Sequence, residues 1–455
     1  MRERAARPYA DRSAFTWTTT ALLAAMLAAP ARADVVTVVP GESIQDAIDA
    51  PGTVDGDEIV IAPGVYRETI DFGGRAITVR SIAPDDPAVV ARTVIDGDGA
   101  GPVITCTGGE GPDSRLAGLT IRGGVGLSGG GMLVELSAPT VVRCTFVDNE
   151  AVFEGGGMFC LAGNPSVIDC RFVGNRAFYG GGISVIDASP RFVDCVFAGN
   201  EAVATGGGVD FFNGGAPRLA GCVVTANTAG DGGGLSCEDA GATIYNTIVS
   251  ANAADLNASV RVAGTVVGTF QYSDVAGSGG SAEWDPAFGS DGGGNIDVDP
   301  RFTDAAGADG VAGTLDDDLR PAPDSPVIDA GRNDAIQADF GDLDGDGDLA
   351  EPTPLDLDGR PRRADVAATP DTGSGASPLV DMGPYEAAAA STCPWDLTGD
   401  GRVDGRDLVM LLRRGHELDF VDLLELLAAW GPCDREGLGP PRRGHGPKRR
   451  WQRRR

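Results

Sequence analysis

The residues best spaced for chemistry lie near the end of the chain. Asp396, Thr398, Asp400, Arg402, Asp404 and Asp407 fall at positions 1, 3, 5, 7, 9 and 12 of one loop, with Gly401 at 6 and Val403 at 8. Oxygen ligands at that spacing, a glycine at the sharp turn and a main-chain carbonyl at position 7 suit Ca2+. Leu408 to Leu412 and Asp422 to Trp430 read as short apolar helices after it. Cys393 and Cys433 bracket the segment; a disulfide between them would contribute about 3–4 kcal/mol. The alternative is a Ca2+-free helical hairpin held by that disulfide. A second run, Asp342-Leu343-Asp344-Gly345-Asp346-Gly347-Asp348, alternates carboxylates around glycines. It reads either as a second Ca2+ loop, through Asp342, Asp344, Asp346 and Asp348, or as a hydrated acidic loop. Thr353 stands where a twelfth-position acid would be.

Other chemistry is excluded by composition. The 455 residues include two His, His416 and His445, so the first 415 residues hold no His triad, His zinc site or His base. With 66 acids against 36 bases, the net charge is −30. Such a chain repels a nucleic-acid backbone, and no nucleic-acid partner is expected. Arg2, Arg4, Arg7 and Arg12, the apolar run Ala21 to Ala29 and Ala31-Arg32-Ala33 read as an export leader over 1–33. A short membrane anchor is the alternative. The rest has no long apolar run, so a secreted or cell-surface chain with no span after cleavage is expected. The basic tail, 434–455, reads as solvated.

The elements that must position side chains are repeats. Blocks beginning at Pro139, Pro165, Pro190 and Pro217 follow one another at steps of 26, 25 and 27 residues. Three columns recur: Cys144, Cys170, Cys195 and Cys222, then Thr247; Asn149, Asn175, Asn200, Asn227 and Asn252; and triple glycines at 129–131, 155–157, 180–182, 206–208 and 232–234. Val142, Cys144 and Phe146, and their counterparts, alternate as strand residues with one buried face. The glycines oppose a helical return, at about 1 kcal/mol each. The reading is all-β: a single-stranded, right-handed parallel β-helix, or solenoid, with the Asn column as an amide ladder and the thiols as small core residues. Ser43 to Ala50 is a candidate capping helix. The β-helix is placed at 34–275, an irregular Asp/Gly-rich closing region at 276–390, expected to finish the solenoid, and a small α-helical module at 393–433.

Ile44 to Ala50 (IQDAIDA), Gly56 to Glu68 (GDEIVIAPGVYRE) and the F-x-x-N…GGG blocks resemble the pectin-lyase-like family of parallel β-helix proteins, over roughly 34–275. That resemblance implies the fold. The family includes polysaccharide lyases, esterases and hydrolases as well as non-catalytic surface proteins. Gly208 to Asn213 (GVDFFN) resembles the segment around the nucleophilic Asp of pectin methylesterases, making Asp210 the catalytic candidate, expected to face outward. The companion Q-D-T motif is absent. Arg122, Arg143 and Arg171 with Asp169 and Asp194 could serve a lyase or form ordinary charged surface. Glu135, Asp210 and Glu238 could supply a hydrolase pair about 6.5–9.5 Å apart. Phe159, Asp210 and Phe212, with Phe178 and Tyr179, could bind a glycan or pack between turns. The 393–433 segment resembles a type I dockerin, which implies Ca2+ and a cohesin-like receptor. Thr398 at position 3, and a second loop without its first ligands, depart from that pattern. The preferred reading is a non-catalytic exported β-helix binding a glycan or cell-surface component. The alternative is a polysaccharide lyase or glycoside hydrolase.

Overall fold

The computed structural model describes residues 33–366 and 369–387, with a few positions between 402 and 432. The expected leader, the Cys393–Cys433 pair, the basic tail, and Asp396, Thr398, Asp400, Asp404 and Asp407 lie outside the described residues. Arg402–Val403 is described, paired antiparallel with Gly431–Pro432.

Six successive coils make four short strands each, and the coils at either end make fewer. In one turn these are Thr140–Val142, Thr145–Val147, Glu150–Glu154 and Met158–Leu161. Stacked coils build four parallel sheets. The first has 11 strands, from Val35–Val38 to Ser290–Asp291, and the second 9, from Gly64–Arg67 to Asp274–Val275. The third has 6, from Val125–Ser128 to Ala253–Leu256, and the fourth 8, from Ile70–Asp71 to Val260–Ala263. Register keeps like over like: Phe146 pairs with Phe172, and Phe172 with Phe197. Their rings stack at 4.7 and 5.1 Å. The helix Ile44–Asp49 closes the first end, with Ile44 and Ile48 buried and Ser43 accepting from the Asp46 N–H.

The columns are functional at the corners. Asn175 Nδ2 donates to Asn200 Oδ1 at 3.0 Å and to the Phe146 carbonyl at 2.9 Å, and the pattern runs from Asn149 to Asn252. It satisfies corner amides that the sheets cannot reach. The cysteine column does a similar task at the corner before it. The Cys144 N–H meets Cys170 Sγ at 3.4 Å, and the Cys222 N–H meets Thr247 Oγ1 at 3.3 Å. Thr247 therefore replaces cysteine without breaking the ladder. The seven described cysteines are free and buried.

One expectation is corrected. Val142, Cys144 and Phe146 do not share a face. Val141, Cys144 and Phe146 point inward, while Val142 points outward, as Ile168 and Val193 do. A single left-handed residue turns the chain between the first and second sheets: Arg143, Asp169 and Asp194 have φ of 52°, 53° and 51°. The bend resets the two-residue alternation.

The closing region is corrected too. It does not simply add coils; it doubles back along the solenoid. Leu343 packs on Ala117, Val142, Ile168 and Val193 outside the first sheet. Leu319, Val327, Ala330, Met382 and Tyr385 cover Val196, Ala198, Val223 and Ile248 outside the second. Parallel strands that are apolar on both faces require such a cover.

Candidate functional site

The triple-glycine corner shapes the outer face of the fourth sheet, which carries a polar cluster. A Cβ on Gly207 would lie 2.3 Å from the Gly233 carbonyl oxygen, so coils stack there only without side chains. A Cβ on Gly206 would lie 2.7 Å from that of Asp210. The corner thus folds the edge of the third sheet over the outward row of the fourth: Phe159, Ser184, Asp210, Ser236 and Arg261, which lie in register.

Asp210 and Phe159 were expected to stand free on this face. They point away from the core, but Asp210 is 5% and Phe159 6% exposed, because the folded edge covers them. Thr205 Oγ1 donates to Asp210 Oδ1 at 2.9 Å. Burial pushes the Asp210 carboxyl up to about 6, against the opposing pull of Ser236, Thr205 and Arg261. Arg261 donates to Asp231 at 3.0 Å, to Ser236 Oγ at 3.3 Å and to Glu238 at 2.8 Å. A carboxyl titrating near neutrality beside a guanidinium can exchange a proton. Its closed surroundings shield it from bulk solvent. Arg261 was missed in the sequence; its signal is its place at the coil period after Asp210 and Ser236.

Beside this row, the third sheet presents exposed apolar side chains: Leu127, Val152, Phe153, Phe178, Tyr179 and Val203. Phe178 and Tyr179 meet edge to face at 4.8 Å. On the fourth sheet, Phe212, two residues after Asp210, is 42% exposed.

The other charged candidates are committed to structure. Asp169 and Asp194 were expected near the surface; they are buried beneath the closing region, which covers this apolar side of the solenoid. Arg362 pairs with Asp194 at 3.1 Å and with Glu386, and donates to the Gly383 carbonyl at 2.8 Å. Arg143 sits 3.4 Å from Asp169, and Arg171 donates to the Tyr385 hydroxyl at 2.9 Å. Arg122 forms a 3.0 Å pair with Asp96. Glu135 is half-buried at the end of an interior strand of the fourth sheet, Met132–Glu135.

Three acidic groups have metal-like geometry. Asp342, Asp344 and Asp346 bring one oxygen each within 4.8 Å of one another; so do Asp339, Asp344 and Glu351, and Asp329, Asp365 and Asp371. Asp348 instead caps the Ala350 N–H at 3.0 Å. All donors in these groups are carboxylates, which suits a hard cation.

The family described as "Right handed beta helix region" matches residues 113–254. The fold is a right-handed parallel β-helix. No curated protein matches the chain. Solved structures similar to this β-helix include pectate lyase Pel9A, at 15% identity, 78% of this chain and 96% of that one, with a TM-score of 0.41. Carrot pectin methylesterase is 14% identical over 51% of this chain and 88% of its own, with a TM-score of 0.30. Pectin methylesterase from Aspergillus niger is 15% identical over 59% and 83%, with a TM-score of 0.29.

Proposed function

We propose that this β-helix is an extracellular binding and display protein. It engages a glycan or another cell-surface component across the third sheet and Phe212. The exposed aromatic and aliphatic row on the third sheet carries this reading. Ring faces on a rigid sheet can stack on sugar rings with little ordering cost. Meanwhile, Asp169, Asp194 and Asp210 are buried, leaving no open pair of carboxylates among them. The test is binding of the full chain to acidic and neutral polysaccharides. Phe178→Ala and Tyr179→Ala together should reduce binding at least about tenfold, the effect of losing about 1.4 kcal/mol. No binding to any polysaccharide, or undiminished binding by the double variant, would overturn the reading.

Attachment belongs to the C-terminal module. Its Ca2+ ligands would be Asp396, Thr398, Asp400, the Arg402 carbonyl, Asp404 and Asp407, and its partner a cohesin-like receptor. The spacing supports this. An Asp396→Asn, Asp400→Asn chain should lose one Ca2+ equivalent; unchanged stoichiometry would remove the metal from this module.

A second reading is a polysaccharide lyase or glycoside hydrolase, favoured by the Asp210, Arg261 and Glu238 cluster. It predicts unsaturated products or new reducing ends, abolished by Asp210→Ala. The absence of both products across the same polysaccharides would remove it.

A further inference from the structure

The acidic loop of the closing region is tied at its base. Ala338 and Pro352 form an antiparallel bridge, and the Asp339 N–H donates to the Glu351 carbonyl at 2.8 Å. Thr353, at the position where a calcium loop ends in an acid, is used in this base: its N–H and its hydroxyl both donate to the Gln337 carbonyl, at 2.8 and 3.0 Å. The loop also grips the solenoid. Leu343 is buried among Val142, Ile168 and Val193, and its carbonyl accepts from Arg143 at 3.1 Å. Arg115 donates to the neighbouring Gly341 carbonyl.

Within the loop, one oxygen from each of Asp339, Asp344 and Glu351 lies within 4.8 Å of the others. Asp339 is 1% exposed. Its Oδ2 accepts from the Leu343 N–H at 2.7 Å. Its Oδ1 has no hydrogen-bond partner among the described residues, and neither has the buried Glu351 Oε1. Two dry, unpaired carboxylate oxygens in a cluster of three acids are costly twice over, through lost solvation and through mutual repulsion. One shared proton would pair two oxygens and leave the repulsion from Asp344. A divalent cation answers both costs.

We propose that Asp339, Asp344 and Glu351 hold one Ca2+ ion. Asp344 is exposed, so water can complete the coordination from its side. The donors are all oxygen, and an irregular set with water suits Ca2+ better than the strict octahedron of Mg2+. The buried Asp339 and the half-buried Glu351, with its enclosed Oε1, thus supply the sheltered acids absent from the Asp-Gly run itself. The ion would fasten that run to the base of its own loop and hold Leu343 in the outer face of the first sheet. This site is independent of the glycan reading.

The test is calorimetric titration of Ca2+ into the full, EDTA-stripped chain at neutral pH, with proteolysis at the Asp residues of the loop as a second readout. Glu351→Gln should bind one equivalent fewer than wild type. Asp346→Asn, which belongs only to the neighbouring group, should keep that equivalent. At Ca2+ a hundred times its Kd, cleavage of the wild-type loop should slow about a hundredfold, and in Glu351→Gln it should not. A melting temperature in EDTA equal to that of wild type certifies the fold of Glu351→Gln; if that variant is misfolded, the exposed Asp344→Asn takes its place. Equal stoichiometry in wild type and the folded variant would overturn the proposal. So would loss of the equivalent in Asp346→Asn with its retention in Glu351→Gln.

Discussion

Arg362 donates to the Asp194 carboxylate at 3.1 Å, with both side chains buried, across 168 residues of sequence. The pair joins the closing region to a corner of the solenoid. Arg362 also meets Glu386 and the Gly383 carbonyl, so one guanidinium organises the last described turn around a solenoid acid.

Arg362→Met should therefore leave Asp194 and Glu386 buried without their cation. The expected cost is about 3–5 kcal/mol. Thermal unfolding should show a lower transition, and proteolysis should release the closing region first. A melting curve matching wild type would show that the cover is held by apolar contacts alone.

The same seam sets a pH dependence. Burial pushes Asp194 up to about 6, and Asp356 and Asp381 up to about 7. An unfolded aspartate titrates at about 3.9. The native state then holds more protons than the unfolded state across this window. The contribution of these groups to stability falls as pH rises from about 4 to about 7, and is level beyond both ends. Asp57, held low by the Val54 and Asp34 N–H groups, acts in the opposite sense below that window. Urea midpoints in EDTA should be higher at pH 5 than at pH 7.5; the reverse order would refute the assignment.

Asn200→Ala should remove four hydrogen bonds at once: those its Oδ1 accepts from the Asn175 N–H and Nδ2, and those its Nδ2 donates to the Phe172 carbonyl and Asn227 Oδ1. At about 1–3 kcal/mol for each buried group left unpaired, the loss is large for a single surface-remote change. Asn200→Asp should recover part of it, because a carboxylate oxygen still accepts from the coil before it. Denaturant midpoints of the two variants would measure the ladder.

The cysteine column makes a chemical prediction. Burial pushes Cys160 and Cys237 up to about 12 and raises Cys106, Cys170 and Cys195 strongly. These protonated, enclosed thiols should resist maleimide until the chain unfolds. Rapid labelling of any of the seven described cysteines in the folded chain would contradict their placement. Cys195→Ser should fold, since Thr247 already serves in the same column; Cys195→Val, which keeps the volume and loses the acceptor, should be less stable.

The regular part of this fold was legible because its corner chemistry repeats. Asn149 to Asn252 and the triple glycines mark positions where each coil must meet an identical need, an amide acceptor or a close backbone approach. Those needs are local and periodic, so residue identity reveals them. The faces of Val142, Ile168 and Val193 were not legible, because Arg143, Asp169 and Asp194 turn the chain through a left-handed conformation that composition does not announce. Asp210 was placed on the correct strand and the correct side, but its burial depends on the neighbouring sheet edge folding over it.

The sequence alone determined the coil: its period, its inward amides and thiols, its glycine corner and its capping helix. Each follows from interactions between a residue and its equivalent one turn away. Tertiary structure decided what lies outside the coil. It placed Arg362 on Asp194, Tyr385 beside Arg171, and Leu343 against Val142, Ile168 and Val193. Those partners come from segments with no shared period. They meet because the solenoid's apolar outer faces draw the closing region back across them, a long-range packing demand that no spacing within the chain encodes.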